Sequence, residues 1–297
     1  MRLCYSEEGD LDFIRWTSNL LRKFLDNGSI TIVKQHQQPD MMLASVWRAH
    51  RFRAGVPVIL VSNENWRVFP PHHALGRYKA VLGLYPPGAP CTFIQYPYVA
   101  VHFDARIEQL FELRKQLLGV KKTKFCCFVT SNMVGELAAE RVALFNSVNR
   151  WKTVDSAGRV SNNVGYLAPR GLDFFRWIAD YKFMICLENS KEPGYITEKP
   201  FQPWFAGTVP IYDGGCAHEL NGDAMVDASS GEALSQLRLL ESRPDLYEAK
   251  RRAELYPGPI TLEPFEKTFQ ALVLNGSVHL VGWRWLETQR VSLSGGT

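Results

Sequence analysis

The sequence predicts an α/β protein built from two Rossmann-like domains. Three observations carry that prediction. Its 297 residues exceed the usual size of a single domain. Short apolar runs bounded by turn residues alternate with segments of helical period, the pattern left by covered parallel strands and their crossover helices. The alternation starts afresh after the basic turn "VKKTK", which divides the chain into residues 1–118 and 119–297.

In order, "RLCY" reads as a first strand. Leu11, Ile14, Leu20, Leu21 and Leu25 then line one face of a helix, and "ITIV", "MMLASVW" and "VPVILVS" read as further buried strands. From Asp104 to Leu118 the period is strongly helical, with Asp104 as N-cap and Gly119 as the stop. The second half runs strand (Phe125 to Val129), helix (Gly135 to Asn149), a loop rich in Gly, Ser and Asn, and helix (Leu172 to Tyr181). A strand "FMICL", a polar loop, a helix start and a strand "TVPIY" follow. Beyond Gly231 the clearer helical segments are "PDLYEAKRRAELY" and "LEPFEKTFQALVL", and the tail "SLSGGT" has no structural pattern.

Composition narrows the function classes. Apolar residues make up 46% and charged residues 22%, as in a soluble globular chain. A net charge of +4, with Lys and Arg dispersed, argues against a nucleic-acid partner, and "KKTK" suggests a local patch for an anionic ligand. The six cysteines form no CxxC pair, and Cys126, Cys127 and Cys186 lie in apolar runs, which fits a reducing compartment and no zinc site. The N-terminus turns acidic too soon for a signal peptide, and no apolar run approaches the roughly 18 residues of a membrane span. A cytoplasmic chain is expected. No GxGxxG occurs, so ordinary dinucleotide binding loses support. "DLD" (Asp10 to Asp12) has the letters of a metal-binding DxD, but it opens an amphipathic helix and reads as capping. The oligomeric state is not legible.

The chemistry concentrates in "ENSKEPGYITEKPFQPWFAGTVPIYDG" (Glu188 to Gly214). In open α/β sheets ligands bind beyond the carboxyl ends of strands, where a helix start favours anions. With Thr197 as cap and Pro200 in the first turn, Glu198 and Lys199 stand at the mouth of such a site. Lys199 can neutralise a phosphate, and Glu198 can accept hydrogen bonds from two vicinal ribose hydroxyls. A nucleotide diphosphate suits the pair.

"FMICLENSKEPGYITEKPFQPWFAGTVPIYDGG" resembles the donor-binding motif of the α-1,3/4-fucosyltransferases, glycosyltransferase family 10. That motif places Glu-Asn, a variable loop, Tyr-[Ile/Val]-Thr-Glu-Lys, a helix and Pro-[Val/Ile]-Tyr in this order. "KFCCFVTSN" followed by Arg141 is similar to the family's strand leading to a phosphate-binding arginine. "ILVSNENW" (Ile59 to Trp66) is similar to the segment that carries the proposed base. The strong match spans roughly residues 124 to 214.

The resemblance implies a GT-B fold, two Rossmann-like domains with a cleft between them, and transfer of L-fucose from GDP-fucose to a glycan hydroxyl. Arg141 and Lys199 would neutralise the diphosphate, Glu198 would hold the ribose and Tyr195 would help line the nucleotide pocket. Glu188 and Asn189 match in type and would shape the loop. The two cations would stand in for a metal, so no metal cofactor is expected. An inverting transfer needs one base on the acceptor side, for which Glu64 is the candidate, with His72 or His73 as the alternatives. Loops around Trp47, Trp66 and "FPPHH" would offer the acceptor surface. Two prolines in "PFQPWFAG" predict a shortened or reoriented helix. Without the anchor and stem of animal members, the chain looks like a microbial or viral cytosolic form. Transfer of another GDP- or UDP-sugar, and an inactive sugar-nucleotide or glycan-binding module, are the alternatives.

Overall fold

A computed structural model of the chain describes residues 1–6, 10–46, 55–62, 77–83, 93–94, 98–103, 107–131, 133, 135–192 and 195–275. Strand β1 (Arg2–Tyr5) leads to helices α1 (Leu11–Leu20) and α2 (Arg22–Asp26). Strands β2 (Thr31–Ile32), β3 (Met41–Ser45), β4 (Val58–Val61), β5 (Ala80–Leu82) and β6 (Phe93–Ile94) follow. They form a six-stranded parallel sheet in the order β2-β1-β3-β4-β5-β6. Asp10 caps α1, as "DLD" predicts, by accepting the Phe13 N–H at 3.0 Å.

Helices α3 (Tyr98–Phe103) and α4 (Ile107–Leu117) connect to the second sheet. There β7 (Lys124–Phe128), α5 (Ala138–Trp151), β8 (Val154–Ser156), α6 (Leu172–Ile178), β9 (Tyr181–Ile185), α7 (Phe201–Phe205), β10 (Val209–Tyr212) and β11 (Val226–Asp227) alternate. The strand order is β11-β10-β9-β7-β8, again parallel. Helices α8 (Ala233–Ser242), α9 (Pro244–Arg252) and α10 (Glu263–Phe269) complete the described chain. Both sheets therefore share one topology, in which the first strand is flanked by the second and the third.

Period-two alternation fills both faces of each sheet. In the first, Leu3, Leu43, Ile59 and Val61 meet Leu20, Leu21 and Phe24, while Cys4, Met42 and Leu60 face the other way. In the second, Cys127, Cys186 and Tyr212 meet α6 and α7, while Phe128, Phe183 and Ile211 meet Phe145, Leu237 and Tyr247. Two segments cross over. Helix α4 places Leu110 and Leu117 in the second core, and α10 returns Phe265 and Phe269 to the first. Burying each of those phenylalanines contributes roughly 1.5–3 kcal/mol.

Helix α7 matters for the site because it sets the exit of the loop after β9. It is a single turn, shortened as the prolines predict, and Gly207 at φ +63° ends it in a Schellman motif. The Gly207 N–H donates to Trp204 O at 3.0 Å and the Thr208 N–H to Pro203 O at 2.9 Å. Arg114 of α4 clamps it from outside. Its guanidinium lies 4.0 Å above the Trp204 ring and donates to Trp204 O, while Trp204 Nε1 donates to Ala253 O at 2.9 Å.

The anion patch expected of "KKTK" is a correction. The Lys122 ammonium turns inward to Ala179 O at 2.7 Å and Ala206 O at 3.2 Å, and so ties down the ends of α6 and α7. Lys124 donates to the Tyr181 hydroxyl at 3.2 Å and faces Asp155 at 3.6 Å. Both lie at the amino end of β7, the edge opposite the one where parallel sheets bind ligands.

Candidate functional site

The topology alone picks out a place. From β7 the chain crosses to β8 on one side, and from β9 it proceeds to β10 on the other, so β7 and β9 flank a switch point. Ligands of open α/β sheets bind there, beyond the carboxyl ends. The segment after β7 leads into α5 with Arg141, and the segment after β9 carries Glu188, Asn189 and the run to Lys199.

The ladder between β9 and β10 continues past the strands, with the Cys186 N–H donating to Ile211 O at 3.0 Å and the Glu188 N–H to Asp213 O at 2.9 Å. Glu188 is thereby held fully buried. Its carboxylate accepts from the Thr197 N–H at 2.8 Å, the Thr197 hydroxyl at 2.8 and 2.9 Å and the Tyr212 hydroxyl at 3.2 Å. Lys199 Nζ lies 3.3 Å from its Oε2. Burial pushes the Glu188 carboxyl above its ordinary range, and the Lys199 charge and the Thr197 hydrogen bonds pull it back.

Thr197 departs from its expected role. Its hydroxyl donates to Glu188 and takes the Lys199 N–H only at 3.4 Å, and α7 begins at Phe201 without a side-chain cap. A carboxylate buried beside Thr197 outcompetes the backbone for its hydroxyl. A helix of five residues also supplies little dipole, so the positive charge of this site comes from side chains.

Those side chains converge on one atom. Asn189 Oδ1 accepts from Arg141 Nη1 at 2.7 Å and from Lys199 Nζ at 2.9 Å. Two like charges about 5 Å apart repel by about 3 kcal/mol at an effective dielectric of about 20. Glu188 offsets part of that repulsion, and a bound diphosphate would offset more. Burial also lowers the Arg141 pKa, against the pull of Glu188 and Tyr195.

The backbone of Asn189 is positioned as tightly as its side chain. The Leu137 N–H donates to Asn189 O at 3.2 Å, and Gly135, at φ +103°, packs on the same carbonyl. A Cβ there would come closer than 3.0 Å to it. Gly135→Ala is expected to displace Asn189 and weaken nucleotide binding about 10-fold or more, with a smaller effect on the melting temperature. Titration of GDP against wild type and variant checks this, and unchanged affinity would contradict it.

Of the predicted residues, Arg141, Glu188, Asn189 and Lys199 form one connected group. Tyr195 is buried near Arg141, and its N–H donates to Glu192 O at 3.1 Å. Glu198 is half-buried beside them and raises the Glu188 carboxyl pKa. Glu64, His72, His73, Trp47, Trp66 and "FPPHH" lie outside the described residues. Sequence reasoning missed Tyr212 and Gly135 as parts of the site. The Pro-[Ile]-Tyr of the quoted stretch was the available signal for the first, and nothing local marks the second.

The chain is similar to known proteins in sequence and in fold. Residues 120–237 match the family described as glycosyltransferase family 10 (fucosyltransferase) C-term. Through these residues the chain is similar to glycosyltransferase family 10. The matched residues include every member of the cluster from Arg141 to Asp213. An α-(1,3)-fucosyltransferase of Helicobacter pylori is 30% identical over 132 residues, 42% of this chain and 26% of that one. The GDP-fucose protein O-fucosyltransferase 3 of Homo sapiens is 37% identical over 91 residues, 27% of this chain and 19% of that one. The chain thus spans about a quarter or less of the length of these curated relatives. Over nearly its whole length it shares the fold of an α1,3-fucosyltransferase crystallised with GDP-fucose. That match has a TM-score of 0.68 and 18% identity, covering 94% of this chain and 91% of the other. The architecture of two parallel α/β sheets is accordingly GT-B. Among the described residues no helix is long and apolar enough to cross a membrane.

Proposed function

We propose that the chain is an inverting glycosyltransferase that moves L-fucose from GDP-fucose to a hydroxyl of a glycan. The convergence of Arg141 and Lys199 on Asn189, at the switch point of a domain similar to family 10, carries this reading. Breaking the bond between the sugar and the diphosphate leaves an oxocarbenium-like centre and sends negative charge to the departing GDP. Fixed cations at the diphosphate lower that barrier most where water is excluded. Arg141 and Lys199 supply them in the proposed reaction, Glu198 holds the ribose and Tyr195 lines the nucleotide pocket. Metal independence is part of the proposal. The names of the relatives, fucosyltransferases in each case, support the donor.

Glu64 is the proposed general base, taking the acceptor's proton on the face opposite the leaving group. Support comes from β4, a fully buried strand whose carboxyl end leads through Ser62 toward Glu64. Residues 1–118 would hold the acceptor and 119–297 the donor. A cytoplasmic setting is supported by Cys4, Cys126, Cys127, Cys186 and Cys216, all buried free thiols.

The test is GDP release from GDP-fucose in EDTA across a panel of glycans. Turnover with one acceptor class is expected, and Glu64→Gln should lower kcat about 10²–10⁴-fold while leaving donor affinity unchanged. Turnover of UDP-sugars instead would discard the donor, full activity of the Gln variant would discard the base, and a requirement for added divalent ions would discard metal independence.

A further inference from the structure

A second polar cluster lies on the β10 side of the switch point, apart from the cations that face the diphosphate. Asp213 directly follows β10, is 3% exposed, and gives its carbonyl to the Glu188 N–H. Its Oδ2 pairs with Lys191 Nζ at 2.8 Å, and Lys191 also faces Glu140 of α5 at 3.4 Å. The other carboxylate oxygen, Oδ1, is buried with no hydrogen-bond partner among the described residues. The same holds for Ser190 Oγ, in a residue also 3% exposed and adjacent to Asn189. Close backbone approach seats the two loops on each other. A Cβ on Gly215 would come within 3.0 Å of the Lys191 and Glu192 backbone, and one on Gly214 would do so against the Glu188 and Tyr212 side chains.

Leaving a polar atom buried and unpaired costs about 1–3 kcal/mol, a cost that holding Lys191 does not require of the second oxygen. Two such atoms, on neighbouring loops that also carry Glu188 and Asn189, call for a shared partner with hydrogen-bonding groups of its own. A carboxylate already neutralised by lysine suits a neutral donor better than a cation, and it does not repel a nearby diphosphate. Sugar hydroxyls have that chemistry.

The geometry points to Asp213 and Ser190 as a hydroxyl-binding subsite of the donor site. Asp213 Oδ1 accepts from one sugar hydroxyl, and Ser190 Oγ hydrogen-bonds its neighbour. Lys191 holds the carboxylate in place and balances its charge. The inference rests on the proposed GDP-fucose donor, whose hexose and ribose both carry hydroxyls.

Calorimetric titration of GDP and GDP-fucose into wild type, Asp213→Asn, Ser190→Ala and Lys191→Met tests it, with melting temperatures recorded alongside. Asp213→Asn should bind GDP-fucose about 10-fold or more weakly, and Ser190→Ala about 3-fold or more weakly. Lys191→Met, which breaks the same ion pair but keeps the carboxylate, should lose less than Asp213→Asn. A loss confined to GDP-fucose assigns the hydroxyl to the hexose, and an equal loss for GDP assigns it to the ribose; both support the subsite. It is overturned if Asp213→Asn binds both nucleotides as wild type does, or if Lys191→Met matches its loss, which makes Asp213 a structural partner of the loop. Wild-type protein that binds neither nucleotide overturns the donor reading itself, and this subsite with it.

Discussion

Lys199→Ala is expected to lower kcat/KM for GDP-fucose about 10²–10³-fold, the usual consequence of removing one fixed group that meets charge developing in the transition state. Most of that loss should appear in kcat, because the leaving diphosphate gains negative charge only as the bond breaks. Arg141→Ala should behave alike. The double variant should lose less than the product of the single losses, since both cations are held by Asn189 Oδ1 and removing one frees the other. Lys199, with its side chain 22% exposed, also pairs with the fully buried Glu188, so the melting temperature should fall as well, though by less than the loss of activity requires. Steady-state kinetics on the four proteins check this. A loss confined to KM, or a drop in stability that accounts for the lost activity, would contradict it.

Glu188→Gln is expected to destabilise the second α/β domain by about 2–4 kcal/mol, lowering the melting temperature by about 5–15 °C. The Thr197 N–H and hydroxyl and the Tyr212 hydroxyl all donate to Glu188, and Lys199 pairs with it as an ion. A glutamine offers one oxygen and turns an N–H₂ on the remaining donors. The pH dependence carries a sign. Because burial raises the folded-state pKa, the folded chain binds more protons than the unfolded chain just above about pH 4.5. The contribution of Glu188 to stability therefore falls as pH rises through that window. The gap between wild type and Glu188→Gln should narrow over the same range. Denaturant unfolding from pH 4 to 7 measures it, and a gap that widens with pH would contradict the assignment.

How far the sequence reaches is clearest at the strands. Runs such as "RLCY" and "TVPIY" announce β1 and β10 because both faces of each sheet are covered and the runs have hardly a polar interruption. Arg141 and Lys199 were legible as two cations through the family resemblance, and Asn189 only as a residue that shapes the loop; their meeting at one oxygen depends on helix α5 and the loop after β9, with Arg141 and Asn189 48 residues apart in sequence. Three readings needed the tertiary structure. Thr197 has the chemistry of a cap, but a buried carboxylate claims its hydroxyl. The lysines of "KKTK" look like an anion patch, but Lys122 closes helix ends and Lys124 pairs with Tyr181 and Asp155 at the amino side of the sheet. Gly135 carries no local signal, since its need for φ +103° arises from the Asn189 carbonyl packed against it.

The central claim is that the β7/β9 switch point holds GDP-fucose through Arg141, Asn189 and Lys199. Calorimetry of GDP, GDP-fucose and UDP-sugars in EDTA, on wild type and on Lys199→Ala, tests it most directly. Binding selective for GDP and GDP-fucose, and weakened strongly by the substitution, is the predicted result. Preference for UDP-sugars, or GDP-fucose binding indifferent to Lys199, would contradict it.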